Sequence, residues 1–245
     1  MPPARTDPRT NHLLAAIPAA EWARFERHLT PVAMTLGDVV YETDIQQPYV
    51  YFPTDSIVSL LYVMENGAAG EIAIVGNEGL VGISLFMGGG STADRAVVQS
   101  AGYAFRMTGK YIREEFLLAG PVQHLFLRYT QALISQMGQT AVCNRHHTVN
   151  QQLCRWLLMS MDRLPSNELT MTQELIANML GVRREGVTDA AGKLQSAGVI
   201  EYNRGRIRVL DRPRLEKMAC ECYEVVRREF ARLLPWDSTQ RSDKV

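Results

Sequence analysis

Residues 170–195 read TMTQELIANMLGVRREGVTDAAGKLQ, and few folds accept that pattern. Ile176 and Leu180 share one helical face, and after Gly181 the residues Val187, Ala190 and Leu194 share another. Thr170 or Thr172 suits an N-cap, and Thr170 with Gln173 has capping-box spacing. Ala177 is small enough for a second helix to cross close by, Gly181 supplies the turn and Val182 plugs the corner. The spacing from Ala177 through Gly181 to Val187 is that of two short helices crossing steeply.

The second helix starts near Arg183 and turns Arg183, Arg184, Glu185, Thr188, Asp189 and Lys193 outward. Arginine matches N7 and O6 of guanine, and glutamate accepts from the cytosine amine, so this cluster suits a helix in a major groove. Downstream, residues 198–202, Asn203-Arg204-Gly205 and residues 206–210 have the pattern of a hairpin. Arg204, Arg206 and Arg208 would load it with positive charge for phosphate contact. Thr172, Gln173, Lys193 and Arg204 are the expected phosphate contacts, and Arg184 and Glu185 the expected base readers.

The chain is neutral overall, with 26 Lys+Arg against 26 Asp+Glu, which argues against a protein coated in nucleic acid. The average hides an asymmetry: residues 1–149 carry 10 basic and 13 acidic side chains, residues 150–245 carry 16 and 13. The surplus is concentrated in residues 182–214, with 8 basic and 4 acidic side chains, as a polyanion-binding end requires. No apolar run reaches the ~20 residues of a membrane helix. Residues 1–10 lack the apolar core of a secretory signal. Cys143, Cys154, Cys220 and Cys222 contain no CxxC pair and resemble neither a disulfide framework nor a zinc site. A reducing cytoplasm is the expected location. Cys143 and Cys154 suit either redox sensing or, more simply, small buried helical positions, and Cys220 and Cys222, two apart on a helix, should face different ways and form no mutual disulfide.

Upstream the texture differs. Residues 31–109 hold 11 of the 18 glycines, interleaved with β-rich runs at 39–41, 49–52, 57–63, 71–75, 96–99 and 103–107. Short strands split by turns such as Asn66-Gly67 indicate a small double-stranded jelly roll. Residues 1–12 read as disordered, and 13–29 as one or two short helices around Pro18. From 110 to 163 the pattern is helical. Val122, Leu125, Tyr129, Leu133, Met137, Thr140 and Asn144 form an a/d-like stripe, suited to pairing with a twin helix or to packing on the chain's own barrel. A second helix spans about 149–164, and Pro165-Ser166-Asn167 breaks the chain. Residues 211–236 read as an added amphipathic helix that packs on the preceding unit or reaches a partner. A cupin-type enzyme on the jelly roll would need inward histidines, and residues 31–109 contain none. No nucleophile triad, P-loop or paired catalytic carboxylates are visible, so no enzyme is expected.

This order resembles the Crp/Fnr family of transcription regulators over residues 13–210, most strongly over 172–194. The resemblance implies an α+β chain: an N-terminal double-stranded β-helix (jelly-roll) sensor domain at 13–120, a dimerisation helix at 121–148, and a winged helix-turn-helix with an added helix at 149–236. It implies a homodimer on double-stranded DNA, with RNA polymerase as a further partner and a hinge near 145–149 as the place where an effector acts. In members that respond to cyclic AMP, an Arg, a Glu and a second Arg read the half-site. The matching positions here are Arg184, Glu185 and Asp189, so a different half-site is expected. Cyclic-nucleotide binders carry a Gly-Glu pair and, after a loop, an Arg-Ser or Arg-Thr pair. Here Gly82 matches, Ile83 replaces the ribose-binding Glu, residues 87–94 form a glycine-rich loop, and Arg95 is followed by Ala96. Thr140 falls near the position that touches the purine. Ile83 removes the ribose anchor, so no cofactor is expected, a cyclic nucleotide is disfavoured and the effector is unknown. Iron–sulfur members need N-terminal cysteines, but the first here is Cys143; haem members need an axial ligand, which nothing marks among His12, His28 and His124. The remaining alternative is a ligand-binding module that acts on a protein without touching DNA.

Overall fold

The computed structural model describes residues 7–234. A 3₁₀ turn at Pro8–Thr10 leads into α1 (His12–Ala15) and α2 (Ala19–Glu26). Strands β1 (Thr30–Met34), β2 (Val39–Tyr41), β3 (Tyr49–Pro53), β4 (Ile57–Val63) and β5 (Ala69–Val75) follow. A short α3 (Ser84–Met87) precedes β6 (Arg95–Ser100) and β7 (Gly102–Thr108). Then come α4 (Gly109–Leu117), the long α5 (Pro121–His146), α6 (Val149–Met161) and β8 (Glu168–Thr170). The chain ends with α7 (Gln173–Leu180), α8 (Arg184–Ser196), β9 (Ile200–Asn203), β10 (Arg206–Val209), α9 (Arg212–Met218) and α10 (Glu221–Leu233).

Two antiparallel sheets, ordered β1-β7-β3 and β2-β6-β4-β5, make the N-terminal β-roll. Alternation places Val50, Phe52, Val58, Leu60, Ile74, Val98 and Met107 inside. Phe25 of α2 meets Phe52 and Phe126 edge-on at 5.9 and 6.2 Å, closing the core between roll and long helix. Strand β1 is absent from the sequence reading because Pro31 demotes its run, yet Pro31 pairs with Phe105 in a strand at the end of its sheet. Of the segment 1–12, which reads as disordered, residues 1–6 lie outside the described residues, and 7–12 are ordered. Asp7 caps the 3₁₀ turn, and the buried Asn11 amide donates to the carbonyls of Pro53 and Gly79 at 2.8 Å. Those two bonds pin the N-terminus to the roll.

Helix α5 also seats on the roll. Tyr129 donates to the Leu80 carbonyl at 2.9 Å, and a Cβ at Gly79 would lie 2.3 Å from its ring, so only glycine leaves room. Gln136 donates to the Ile74 carbonyl at 3.1 Å and receives its N–H at 3.4 Å, extending the edge of β5. Val122, Leu125, Tyr129, Leu133 and Thr140 are therefore buried within the protomer. The stripe expected to face a twin helix is the one that packs on the roll, because burying it there excludes water from both. A different stripe remains outside: Leu127, Ile134 and Val142 are 48, 56 and 51% exposed.

Helix α6 lies between the roll and the C-terminal elements, and every residue from Gln152 to Met161 is buried. Its N-terminus is a full capping box formed by Thr148 and Gln151. Arg163, just beyond α6, reaches Glu78 of the roll at 2.7 Å, with both side chains almost wholly buried. Ser59 bonds Glu71 at 2.6 Å and Gln99 at 2.8 Å, and Gln99 donates to Ser160 of α6 at 3.2 Å. Burial pushes the Glu71 carboxyl up to about 7.

The tail expected at 211–236 becomes two helices, α9 and α10; residues 235 and 236 lie outside the described residues. Helix α10 lies chiefly along α5, and less on α6. Tyr223, Val226, Phe230 and Leu233 form its buried face. Arg212 ties α9 to this junction, bonding Asp162 at 2.6 Å and the Tyr223 hydroxyl at 2.8 Å.

Candidate nucleic-acid interface

Thr172, not Thr170, caps α7, accepting the Leu175 N–H at 3.3 Å; Thr170 is taken up in β8, a strand the sequence reading does not contain. Gly181 ends α7 at φ 65°, the left-handed geometry glycine adopts without a Cβ penalty. Arg183 is extended and α8 begins at the next residue. Ile176, Ala177, Leu180, Val187, Ala190 and Leu194 are buried between the two helices and the elements beneath. Thr188 donates to the Gln173 side-chain oxygen at 2.8 Å, fixing α7 and α8 to each other at their exposed edge.

What this leaves outside is the N-terminal end of α8. Arg183, Arg184, Glu185, Thr188, Asp189 and Lys193 are all exposed. Among the described residues, Arg183 and Arg184 form no ion pair, whereas Lys193 pairs with Asp189 at 2.7 Å. That pair neutralises the acidic residue in the third reading position, and it also occupies the lysine expected on phosphate. Strands β9 and β10 form the hairpin, paired in register from Asn203↔Arg206 to Ile200↔Val209, with β8 on the outer side of β10. Both turn residues, Arg204 at φ 50° and Gly205 at φ 80°, are left-handed, the geometry that matches strand twist in a two-residue turn. Arg204, at the tip, forms no ion pair among the described residues, while Arg206 reaches Glu168 at 3.9 Å and Arg208 reaches Glu201 at 3.3 Å. Three exposed cations, Arg183, Arg184 and Arg204, are thus held on a rigid frame without an internal counter-charge.

The residues suggested for an effector do not converge in the same way. Gly82 and Ile83 line a cavity of about 30 Å³ with Tyr41, Asp94, Leu133 and Met137, room for a water or two. Arg95, Ala96 and Thr140 are not part of its lining. Arg95 pairs with Glu42 at 3.1 Å, Ala96 is fully buried in its sheet, and Thr140 accepts from Arg155 at 3.1 Å. The cavity instead holds the Asp94 carboxyl, which accepts from Tyr41 at 2.5 Å and from Thr92. Burial and Asp94 together hold the Tyr41 hydroxyl protonated. Its lining contains no lysine or arginine to meet a phosphate.

Sequence reasoning also missed a cluster. Cys143, Cys220 and Cys222 converge with His147, four residues divided between the end of α5 and the start of α10. A spacing of two on a helix predicts different directions for Cys220 and Cys222, but Cys220 is not helical. It is the extended N-cap of α10 (φ −80°, ψ 165°), so its side chain folds back over the first turn beside Cys222. Only the i, i+4 spacing of Cys143 and His147 could have hinted at this.

No described helix is long and apolar enough to cross a membrane. Residues 151–218 match the family profile of the Crp-like helix-turn-helix domain. FixK2 from Bradyrhizobium japonicum shares the fold at a TM-score of 0.66 and 17% identity, covering 78% of this chain and 98% of that one. A CRP-family transcriptional regulator from Thermus thermophilus gives 0.64 and 17%, covering 78% and 96%. CLP of Xanthomonas campestris, a c-di-GMP-responsive global regulator, gives 0.63 and 14%, covering 79% and 100%. Among curated proteins, no sequence matches significantly.

Proposed function

We propose that this chain, which has the Crp/Fnr regulator fold and carries a Crp-like helix-turn-helix, is a sequence-specific transcription regulator that binds a palindromic DNA site as a homodimer. The observation that carries the reading is the set of unpaired cations Arg183, Arg184 and Arg204, exposed on one rigid frame. Arg184 and Glu185 read base edges from α8, Arg183 and Arg204 meet phosphates, and Thr172 and Gln173 position the backbone of α7 against the duplex. Lys193 adds to phosphate binding when it leaves Asp189.

The exposed stripe on α5 supports the dimer. Leu127, Gln131, Ile134, Gly138 and Ala141 recur at steps of four and three, the seam of a helix pair. Gly138 has open space where a Cβ would stand, so two backbones can approach closely. Two such chains set their α8 helices about 34 Å apart, one turn of DNA. RNA polymerase is the partner through which such a dimer acts, and a DNA target places it in the cytoplasm. The β-roll works as a sensor that does not take a cyclic nucleotide: Arg95 is committed to Glu42, and the cavity presents Asp94 where a phosphate would need a cation.

Selection from random duplexes by the full chain tests the whole reading. It should return an inverted repeat, and Ile134→Asp should sediment as a folded monomer with weakened binding. Recovery of random sequence, or a dimer that survives Ile134→Asp, contradicts it.

A further inference from the structure

The geometry points to a mononuclear, zinc-type metal site formed by Cys143, His147, Cys220 and Cys222, which clamps the end of α5 to the start of α10. The four ligand atoms lie within 4.8 Å of one another. Cys143 Sγ and Cys220 Sγ are 3.6 Å apart, and Cys222 Sγ is 3.4 Å from His147 Nδ1. With Zn–S near 2.3 Å and Zn–N near 2.0 Å, the edges of a tetrahedron come to about 3.8 and 3.5 Å. An iron–sulfur cluster, whose ligands hold different irons, needs a wider spread. Three thiolates and an imidazole suit a d¹⁰ ion without geometric demands of its own.

Three surrounding features fit a bound ion. His147 turns its other nitrogen, Nε2, toward Glu221 at 3.3 Å, the carboxylate that orients a metal-bound imidazole and fixes its tautomer. Gln139 donates to Cys222 Sγ at 3.0 Å, as a thiolate acceptor invites. Arg155 is buried, lies one turn of α5 from the cluster through its bond to Thr140, and forms no ion pair among the described residues. Three thiolates on a dication carry one negative charge, which adds to the nearby Glu71 carboxyl in answering that buried guanidinium. The sulfurs also form a cluster of their own, separate from the aliphatic core. Loading the site transfers three thiol protons to solvent as three metal–sulfur bonds form.

The ion would hold His147, the first extended residue after α5, and so fix the turn into α6. On the proposed DNA-binding reading, that turn sets the spacing of the two α8 helices, so removing the ion changes affinity for the selected operator.

The test uses the full chain purified under reductant. Expected are one zinc per protomer by mass spectrometry and, after exchange with cobalt(II), the visible bands of a tetrahedral ion with thiolate charge transfer. Cys143→Ser and Cys222→Ser should each lose the ion and the spectrum. Cys154→Ser, a buried cysteine outside the cluster, should keep both and controls for folding. Absence of metal and of a cobalt spectrum in the wild type, a Cys143–Cys220 disulfide in its place, or unchanged spectra in both ligand variants would overturn the site, whatever DNA binding does. A loaded site whose chelation leaves operator affinity unchanged overturns the hinge role alone.

Discussion

Two regions of the molecule, the flank of the β-roll and the tip of the helix-turn-helix, hold particular arginines in different ways. In the β-roll, Arg95 pairs with Glu42, and at its border Arg163 pairs with Glu78. At the tip of the helix-turn-helix, Arg183, Arg184 and Arg204 stand exposed and unpaired among the described residues. A cation with an internal partner stabilises or positions the chain itself; one held rigid without a partner is available to an anion from outside. Lack of a partner does not mark the face by itself, since Arg27, Arg113 and Arg128 are also exposed without an ion pair among the described residues. What sets Arg183, Arg184 and Arg204 apart is that they stand on the helix-turn-helix and its hairpin, in a chain that is neutral overall.

If the paired arginines serve the fold, the costliest one to remove lies at the border. Arg163→Ala leaves the buried Glu78 carboxyl unmatched and should cost about 3–5 kcal/mol in urea unfolding. A loss within the range of a surface change would mean that roll and α6 are not coupled through this pair.

Glu71 comes next. Its unperturbed value is 4.5 and burial raises it to about 7, so the folded chain holds this proton more tightly than the unfolded chain does. The associated stability is complete below the unfolded value and is lost as pH rises through the folded one, on the order of 1–3 kcal/mol. Glu71→Gln should flatten the profile between about pH 4.5 and about pH 7, and should be the more stable protein at the upper end. An unchanged pH profile would place the titration elsewhere.

Arg184→Ala should leave unfolding within about 0.5 kcal/mol of wild type, yet cost about 1–3 kcal/mol at the operator and relax its sequence preference at one base pair. Stability loss in place of affinity loss would merge the two classes of arginine. Smallest of all, Glu42→Ala frees Arg95 and should shift stability by no more than about 1 kcal/mol. Neither protein should gain melting temperature from cyclic AMP or cyclic GMP; a gain in wild type would show that Arg95 leaves Glu42 for a phosphate.

The helix-turn-helix was legible because its signals are local: a small residue, a left-handed glycine and two apolar sets lie within 26 residues, 170–195. The roll was legible through its alternating runs, apart from β1, where Pro31 masked a strand. Long-range choices were not legible. Helix α5 carries two apolar stripes, Val122–Tyr129–Leu133 and Leu127–Ile134–Val142, and periodicity cannot say which meets the roll; Gly79 and Leu80, far away in sequence, decide it. The cysteine cluster failed for the same reason, since its two halves lie on helices that meet only when α10 folds back along α5. The fate of Arg95 also depended on a partner, Glu42, that no motif includes.

Whether the free cations on α8 and the wing serve a duplex decides the function proposed here. Binding of the full chain to its selected duplex, followed by fluorescence anisotropy as salt is raised, answers that question. Log affinity should fall linearly with log salt, with a slope about one charge shallower for Arg204→Ala. Affinity that ignores salt, or no affinity for any duplex, would contradict a DNA-binding role.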